Sequence, residues 1–328
     1  MSALTLEPVE AASITTLVDN VIDVFLPDQG PAKRAVPERA RASRVPAPLL
    51  ETGEAKDVLT AEHGFAALVT IVTDGVERSI LFDAGLSTTG LINNMKRLGV
   101  SPQAIEAIVF SHGHNDHTTG LDGLVRALGN PRLPIHVHPE FWSRRRIAIP
   151  GREPLEMPST SKSALQDVGF QIIENEQPTL LLKGSVLVTG EVERTSGFEQ
   201  GFPVHEAYRD GSWCPDPLIR DDQALVLNIR DKGLVVMTGC GHSGVVNIVR
   251  YAQKLTGVPD LHALIGGFHL TGPLFEPIIP AVRDALLEAA PDFIVPTHCT
   301  GWRATHALAQ AFPEGFIQNS VGTRFEFS

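Results

Sequence analysis

Residues 111–117 read Ser111-His112-Gly113-His114-Asn115-Asp116-His117, and the run directly before them, residues 104–110, is AIEAIVF. The apolar run has the length and composition of a buried strand, and behind it three histidines and a carboxylate crowd into six positions. In an extended segment alternate side chains point the same way, so His112 and His114 converge on one ion at the strand's end. Asp116 and His117 enter the following turn and face a second ion beside the first. Imidazole and carboxylate are donors that zinc, iron or manganese accept, with coordination positions left open for water. The competing reading is a polar loop with solvated histidines. A lone histidine would favour it; H-x-H-x-D-H between a buried strand and a helix does not.

The alternation around the motif extends in both directions. Before it come an early strand at 13–20, then strands at 65–72 and 78–85 whose Asp74-Gly75 link has hairpin chemistry, and a helix at 89–98. After it come a helix at 120–128, strands at 184–190, 221–229 and 232–239, a helix at 245–255, a strand at 261–268, a helix at 280–290 and a strand at 292–298. Two runs of strands, each with its helices, predict an α/β (α+β) fold in which two mixed sheets pack face to face with helices outside, an αββα sandwich. One domain over 1–328 is expected, with a Pro/Arg-rich loop at about 26–50 and an irregular insertion at about 139–183.

Composition excludes several classes. The formal charge of -11 over 328 residues argues against nucleic acid as a partner. A mean hydropathy of +0.04 and the lack of a long apolar run argue against a membrane. The opening residues, MSALTLEPVE, lack the basic and apolar regions of a signal peptide, and the three cysteines, Cys214, Cys240 and Cys299, have no framework spacing. Reduced thiols and a cytoplasmic location are therefore expected. The partner is a small-molecule substrate; no motif bears on oligomeric state.

On the H-x-H-x-D-H motif and on residues 81–85, LFDAG, the chain resembles the metallo-β-lactamase superfamily from about residue 62 to 300. The resemblance implies the αββα sandwich, a site for two divalent metal ions at one edge of the sheets, and Asp83 as the acidic residue that ends an early strand. Zinc is the expected ion, with iron or manganese as alternatives. His242 in LVVMTGCGHSG is implied as the third ligand of the first ion beside His112 and His114, and His298 in FIVPTHCTG as a ligand of the second beside Asp116 and His117. Where the superfamily has a bridging Asp, residues 262–270 read HALIGGFHL, so the carboxylate is missing and His269 stands nearby. A second alignment sets VTGEV and TGC on the later motifs and makes Glu191 and Cys240 ligands instead. Residues 17–20, 61–65, 221–225, 238–247, 265–270 and 296–301 look most like a branch containing archaeal dihydropterin–ribofuranosylaminobenzene phosphate synthases and bacterial relatives.

Further candidates surround this set. Asp83 is expected to orient a histidine or water, with a strand-end cap as the alternative. Asp19, Asn20 and His63 sit in branch-like motifs and are candidates to reach the pocket. Asp221 and Asp222 are candidates to orient ligands, against a solvated turn. Cys240 and Cys299 flank the implied ligands, with small buried residues as the plainer reading. His136 and His138 are read as structural or pocket-lining. Arg144 and Arg146 in WSRRRIAIPG are candidates for an anionic substrate group, weighed against a solvated basic run.

The expected activity is that of a metal-dependent hydrolase using a water activated by one or two ions. Asp116 is expected to orient the water and His269 to handle the departing charge. A pterin-synthase-like transferase acting on a diphosphate-activated substrate is the first alternative, and a non-catalytic metal-dependent binder or sensor the second.

Overall fold

The computed structural model describes residues 3–35 and 43–328. Elements are numbered in chain order. The first sheet runs β11 (Gln171–Glu174), β8 (Pro134–Val137), β7 (Ile105–Val109), β6 (Val76–Phe82), β5 (Ala66–Thr73), β1 (Ala11–Val18), β20 (Arg324–Phe327), β2 (Ala32–Lys33). The second runs β12 (Thr179–Leu181), β13 (Val186–Val188), β16 (Leu225–Ile229), β17 (Gly233–Thr238), β18 (Leu261–Gly267), β19 (Phe293–Thr297). Both are mixed: β6, β7, β8 and β11 are parallel in one, as are β17, β18 and β19 in the other.

Period-two alternation sorts each strand's side chains between two cores. In β5 and β6, Ala67, Val69, Ile71, Ile80 and Phe82 face inward, where they meet Leu225, Leu227, Val235, Met237, Ala263 and Ile265 of the second sheet. The opposite face of the first sheet, with Leu68, Leu81 and Ile108, packs against Leu91 and Met95 of α1 (Gly90–Leu98) and Leu121 and Leu124 of α3 (Leu121–Leu128). The outer face of the second packs against α5 (Val245–Thr256), α6 (Ile279–Ala289) and α7 (Trp302–Ala311). The order is helix, sheet, sheet, helix, the αββα sandwich expected from the alternation. No helix among the described residues is long and apolar enough to cross a membrane.

Two expectations are corrected. The loop expected at 26–50 contributes β2 to the first sheet, and β3 (Arg44–Pro46) pairs with β4 (Glu54–Lys56); residues 36–42 lie outside the described residues. The segment at 139–183 carries short regular elements between irregular stretches. It holds β9 (Arg145–Ile147), β10 (Leu155–Met157), α4 (Lys162–Asp167), β11 and β12. β10 and β9 join β14 (His205–Arg209) and β15 (Ser212–Pro215) in a separate four-stranded sheet, here called the cap sheet. Its strands are three to five residues long, too short for periodicity to mark, and the pairing of β9 with β14 joins segments distant in sequence.

Candidate metal centre

Five strands of the two sheets end on one edge, and each delivers a polar group there, as parallel strand ends commonly do. β6 leads to Asp83, β7 to the H-x-H-x-D-H turn and α2 (Asn115–Thr118), β17 to Cys240 and His242, β18 to His269, and β19 to His298. Asp83, His269 and His298 have φ of +59°, +45° and +45°. That left-handed conformation is uncommon outside glycine and clusters where function holds the chain in place.

Hydrogen bonds around the histidines fix which ring nitrogen carries a proton. Asp83, fully buried, accepts from the Ser111 amide at 2.7 Å, the Ser111 hydroxyl at 2.8 Å and His117 Nδ1 at 2.7 Å. Because the Ser111 hydroxyl donates to Asp83, its oxygen accepts from His112 Nδ1 at 2.9 Å. The Asp216 carbonyl can only accept, so His205 Nδ1 donates to it at 3.0 Å, and His205 Nε2 accepts from His114 Nε2 at 3.0 Å. Asn20 Oδ1 accepts from the Gly64 amide at 3.2 Å and from His298 Nδ1 at 3.1 Å, while its Nδ2 donates to the His298 carbonyl. Three rings are thereby left with one bare nitrogen: Nε2 of His112, Nδ1 of His114 and Nε2 of His298.

The bare nitrogens converge. His112 Nε2 and His114 Nδ1 are 3.0 Å apart, with their protons already committed elsewhere, an arrangement that a cation between them resolves. His242 joins this pair; it is buried and neither of its ring nitrogens has a partner. The ligand atoms of His112, His114 and His242 lie within 4.8 Å of one another, and so do those of Asp116, His117, Cys240 and His298. Asp116 Oδ2 is 3.3 Å from His298 Nε2 and 3.9 Å from His117 Nε2, and the Cys240 sulfur is 3.2 Å from His117 Nε2.

The two groups differ electrostatically. Burial pushes His112, His114 and His242 well below the ordinary histidine range, so their lone pairs stay free. At His117 burial acts in the same direction, but Asp83 and Asp116 outweigh it and push the imidazole up to about 9. Burial would raise the Asp116 carboxyl; His117 and His298 outweigh that and hold it far below the usual carboxylate range. Burial pushes the Cys240 thiol up, whereas at Cys299 burial is overcome by Cys240, His298 and His269, which favour the thiolate.

The remaining candidates sort by contact. His63 stands at the mouth, its Nδ1 accepting from Asn20 at 3.1 Å and its Nε2 3.7 Å from Asp116 Oδ2. Asp19 is buried and accepts from the His298 amide at 2.9 Å. Asp222 accepts from the Ser243 amide at 2.8 Å, and so pins the turn that carries His242. His269 lies with its ring 4.2 Å from that of His242 and lines, with Phe202 and Phe275, a pocket of about 290 Å³. Both later residues of the first alignment, His242 and His298, lie in the two groups; of the second alignment Cys240 does, while Glu191 sits partly exposed, 3.8 Å from Arg220.

The arginine expectation is corrected. Alternation along β9 turns Arg145 inward and Arg144 and Arg146 to the other side. Those two pair with Glu156 and Glu206 at 2.6 Å and lie over Trp213, so their charges are already matched. Buried Arg145 instead bonds Asp221 at 2.5 and 2.9 Å, and Asp221 accepts from the Gly113 amide at 2.8 Å inside the motif. Sequence reasoning missed His205 and Asp216. The Asp210-Gly211 turn between β14 and β15 marks their hairpin, but nothing local links it to His114.

Comparison with known proteins agrees with this geometry. The metallo-beta-lactamase superfamily profile matches residues 63–253. The chain is 29% identical over 276 residues to a 7,8-dihydropterin-6-methyl-4-(beta-D-ribofuranosyl)-aminobenzene-5'-phosphate synthase of Methanocaldococcus jannaschii, covering 81% of this chain and 90% of that one. It is 31% identical over 273 residues to an uncharacterized protein of the same organism, covering 80% and 92%. Among solved structures, Tm1679, described as a metal-dependent hydrolase of the beta-lactamase superfamily, superposes with a TM-score of 0.70 at 22% identity, covering 97% of this chain and 99% of that one.

Proposed function

The chain belongs to the metallo-β-lactamase superfamily, and from that membership we propose that it is a metal-dependent hydrolase of a small-molecule substrate, with up to two ions held by His112, His114 and His242 and by Asp116, His117, Cys240 and His298. One observation carries the reading: His112, His114 and His298 have their ring protons committed outward, leaving bare nitrogens inside, beside the Asp116 carboxylate and the His117 ring. This donor set fits zinc first, and iron or manganese as alternatives. When bound, a divalent ion supplies the Lewis acidity that makes water nucleophilic near neutral pH and polarises an acyl or phosphoryl oxygen.

The chain's own residues do the rest. Asp83 holds His117 directly and His112 through Ser111; His205 holds His114; Asn20 holds His298 and His63. Asp116, between the rings of the second group, orients the attacking water. His269, beside the aromatic pocket, faces the departing group.

The test is metal content after dialysis. His112→Ala and Asp116→Ala are each expected to lose metal by elemental analysis, along with hydrolysis across an ester, lactone and phosphodiester panel; unchanged metal content in both rejects the reading. A group-transfer reaction is the second reading. It is favoured by the relative named for synthesis of a dihydropterin–aminobenzene phosphate. Diphosphate release that depends on an amine-bearing aromatic co-substrate would select it over hydrolysis.

A further inference from the structure

A third group of donors lies against the centre. The ligand atoms of Cys240, His269 and Cys299 are within 4.8 Å of one another, and neither His269 nor Cys299 belongs to the other two groups. We propose that these three side chains form a sulfur-rich position that takes one soft ion, zinc or cadmium in preference to manganese or magnesium, with the Cys240 sulfur shared with the second group. The proposal builds on the reading of the centre as metal-binding.

Several observations support it. His269 Nδ1 is buried without a partner although Phe202, Phe275 and His242 surround the ring. An ion at that position gives this nitrogen the partner it lacks. The backbone is arranged for the cluster: His269 and His298, the residue before Cys299, both keep φ of +45°. The space is also kept clear, since a Cβ on Gly267 would stand 2.7 Å from the Cys299 sulfur and 3.2 Å from the Cys240 Cα. Both cysteines are buried and free, and the Cys299 sulfur lies 3.4 Å from the Cys240 carbonyl oxygen.

Two thiolates and one imidazole are a soft donor set, which selects zinc-like ions over the hard ions that prefer oxygen. Binding forms two sulfur–metal bonds and one nitrogen–metal bond, with each sulfur bound as the thiolate and any proton it carries released to solvent, and with no change of oxidation state. Cys214, on the cap sheet and half-buried, lies outside the cluster and serves as an internal control.

The experiment uses the reduced full-length apo-protein titrated with cobalt(II), reading sulfur-to-cobalt charge-transfer absorption in the near ultraviolet and bound equivalents by elemental analysis. Cys299→Ser and His269→Ala change only the third group, and His112→Ala only the first. Cys299→Ser is expected to lose one equivalent and part of the charge-transfer band, His269→Ala to lose the equivalent, and His112→Ala to keep the band. Unchanged equivalents and band in both third-group variants overturn the proposal while leaving the other two groups standing; failure of the unsubstituted protein to bind cobalt overturns both. If Cys299→Ser does not fold, alkylation of the unsubstituted protein decides. Cadmium is expected to slow modification of Cys299 and leave Cys214 unchanged, and equal Cys299 rates with and without cadmium overturn the proposal.

Discussion

His205 shows how much of the site depends on contacts no local pattern reports. It holds the tautomer of His114 from 91 residues away, with the Asp216 carbonyl fixing its own proton. Replacing such an orienting partner costs metal affinity about 10–100-fold. His205→Leu is therefore expected to weaken binding by that factor in a chelator competition, while His205→Gln, whose amide oxygen can still accept from His114, recovers part of it. Equal affinity in the Leu variant would show that His114 needs no help. The H-x-H-x-D-H residues were legible because their donors are adjacent in the chain and their spacing maps directly onto a strand end. His205, and the meeting of Cys240 with Cys299, were not, because those partners become neighbours only after the sheets and the cap sheet assemble. The arginines failed for a related reason: three in a row look alike in sequence, and only the register of β9 separates buried Arg145 from its paired neighbours.

The elements that carry these residues are held by specific anchors. Asp221 receives both the Arg145 guanidinium and the Gly113 amide, tying the cap sheet to the motif turn. Removing one partner of a buried ion pair costs about 3–5 kcal/mol because the other charge is left uncompensated. Arg145→Met should lower the free energy of unfolding by that amount in urea and weaken metal binding as the turn loosens. A loss below 1 kcal/mol would mean that the cap sheet is fastened elsewhere. The start of α5 has its own anchor: Glu199 accepts from the Val246 and Asn247 amides at 2.9 and 3.0 Å, where helix amides lack internal partners. Glu199→Ala should cost about 1–2 kcal/mol, again by urea unfolding, and a neutral result would assign those amides to solvent. The long helices and the strands flanking the motif were legible from their periods, since each has one face to bury. The short cap strands carry no such period, and Glu199 acts from an irregular segment 47 and 48 residues before the amides it accepts from.

At the scale of the whole molecule, the candidate centre joins the two sheets. His112 and His114 follow β7 of the first sheet, while His242 follows β17 of the second; Asp116 and His117 follow β7, while Cys240 and His298 follow β17 and β19. An ion in either group therefore crosslinks the two layers of the sandwich at the edge where the central apolar core ends. A ligand that binds only the folded chain stabilises it by mass action, about 2.7 kcal/mol at a free concentration one hundred times its Kd. Without the ion, bare imidazole nitrogens face one another across the gap, so the apo-protein should be weakest at this edge. Zinc is thus expected to raise the Tm of the dialysed protein by several degrees, and excess chelator to reverse the rise. His242→Ala should remove much of the shift, because it takes the second sheet's donor from the first group. Arg144→Ala, which removes an exposed ion pair with Glu156 and ring contacts with Tyr208 and Trp213, all outside the two groups, should leave the shift intact. Coincident melting curves for the zinc-loaded and chelator-treated protein would show that the sandwich closes without an ion, and that the inward-facing nitrogens do not clamp its two sheets.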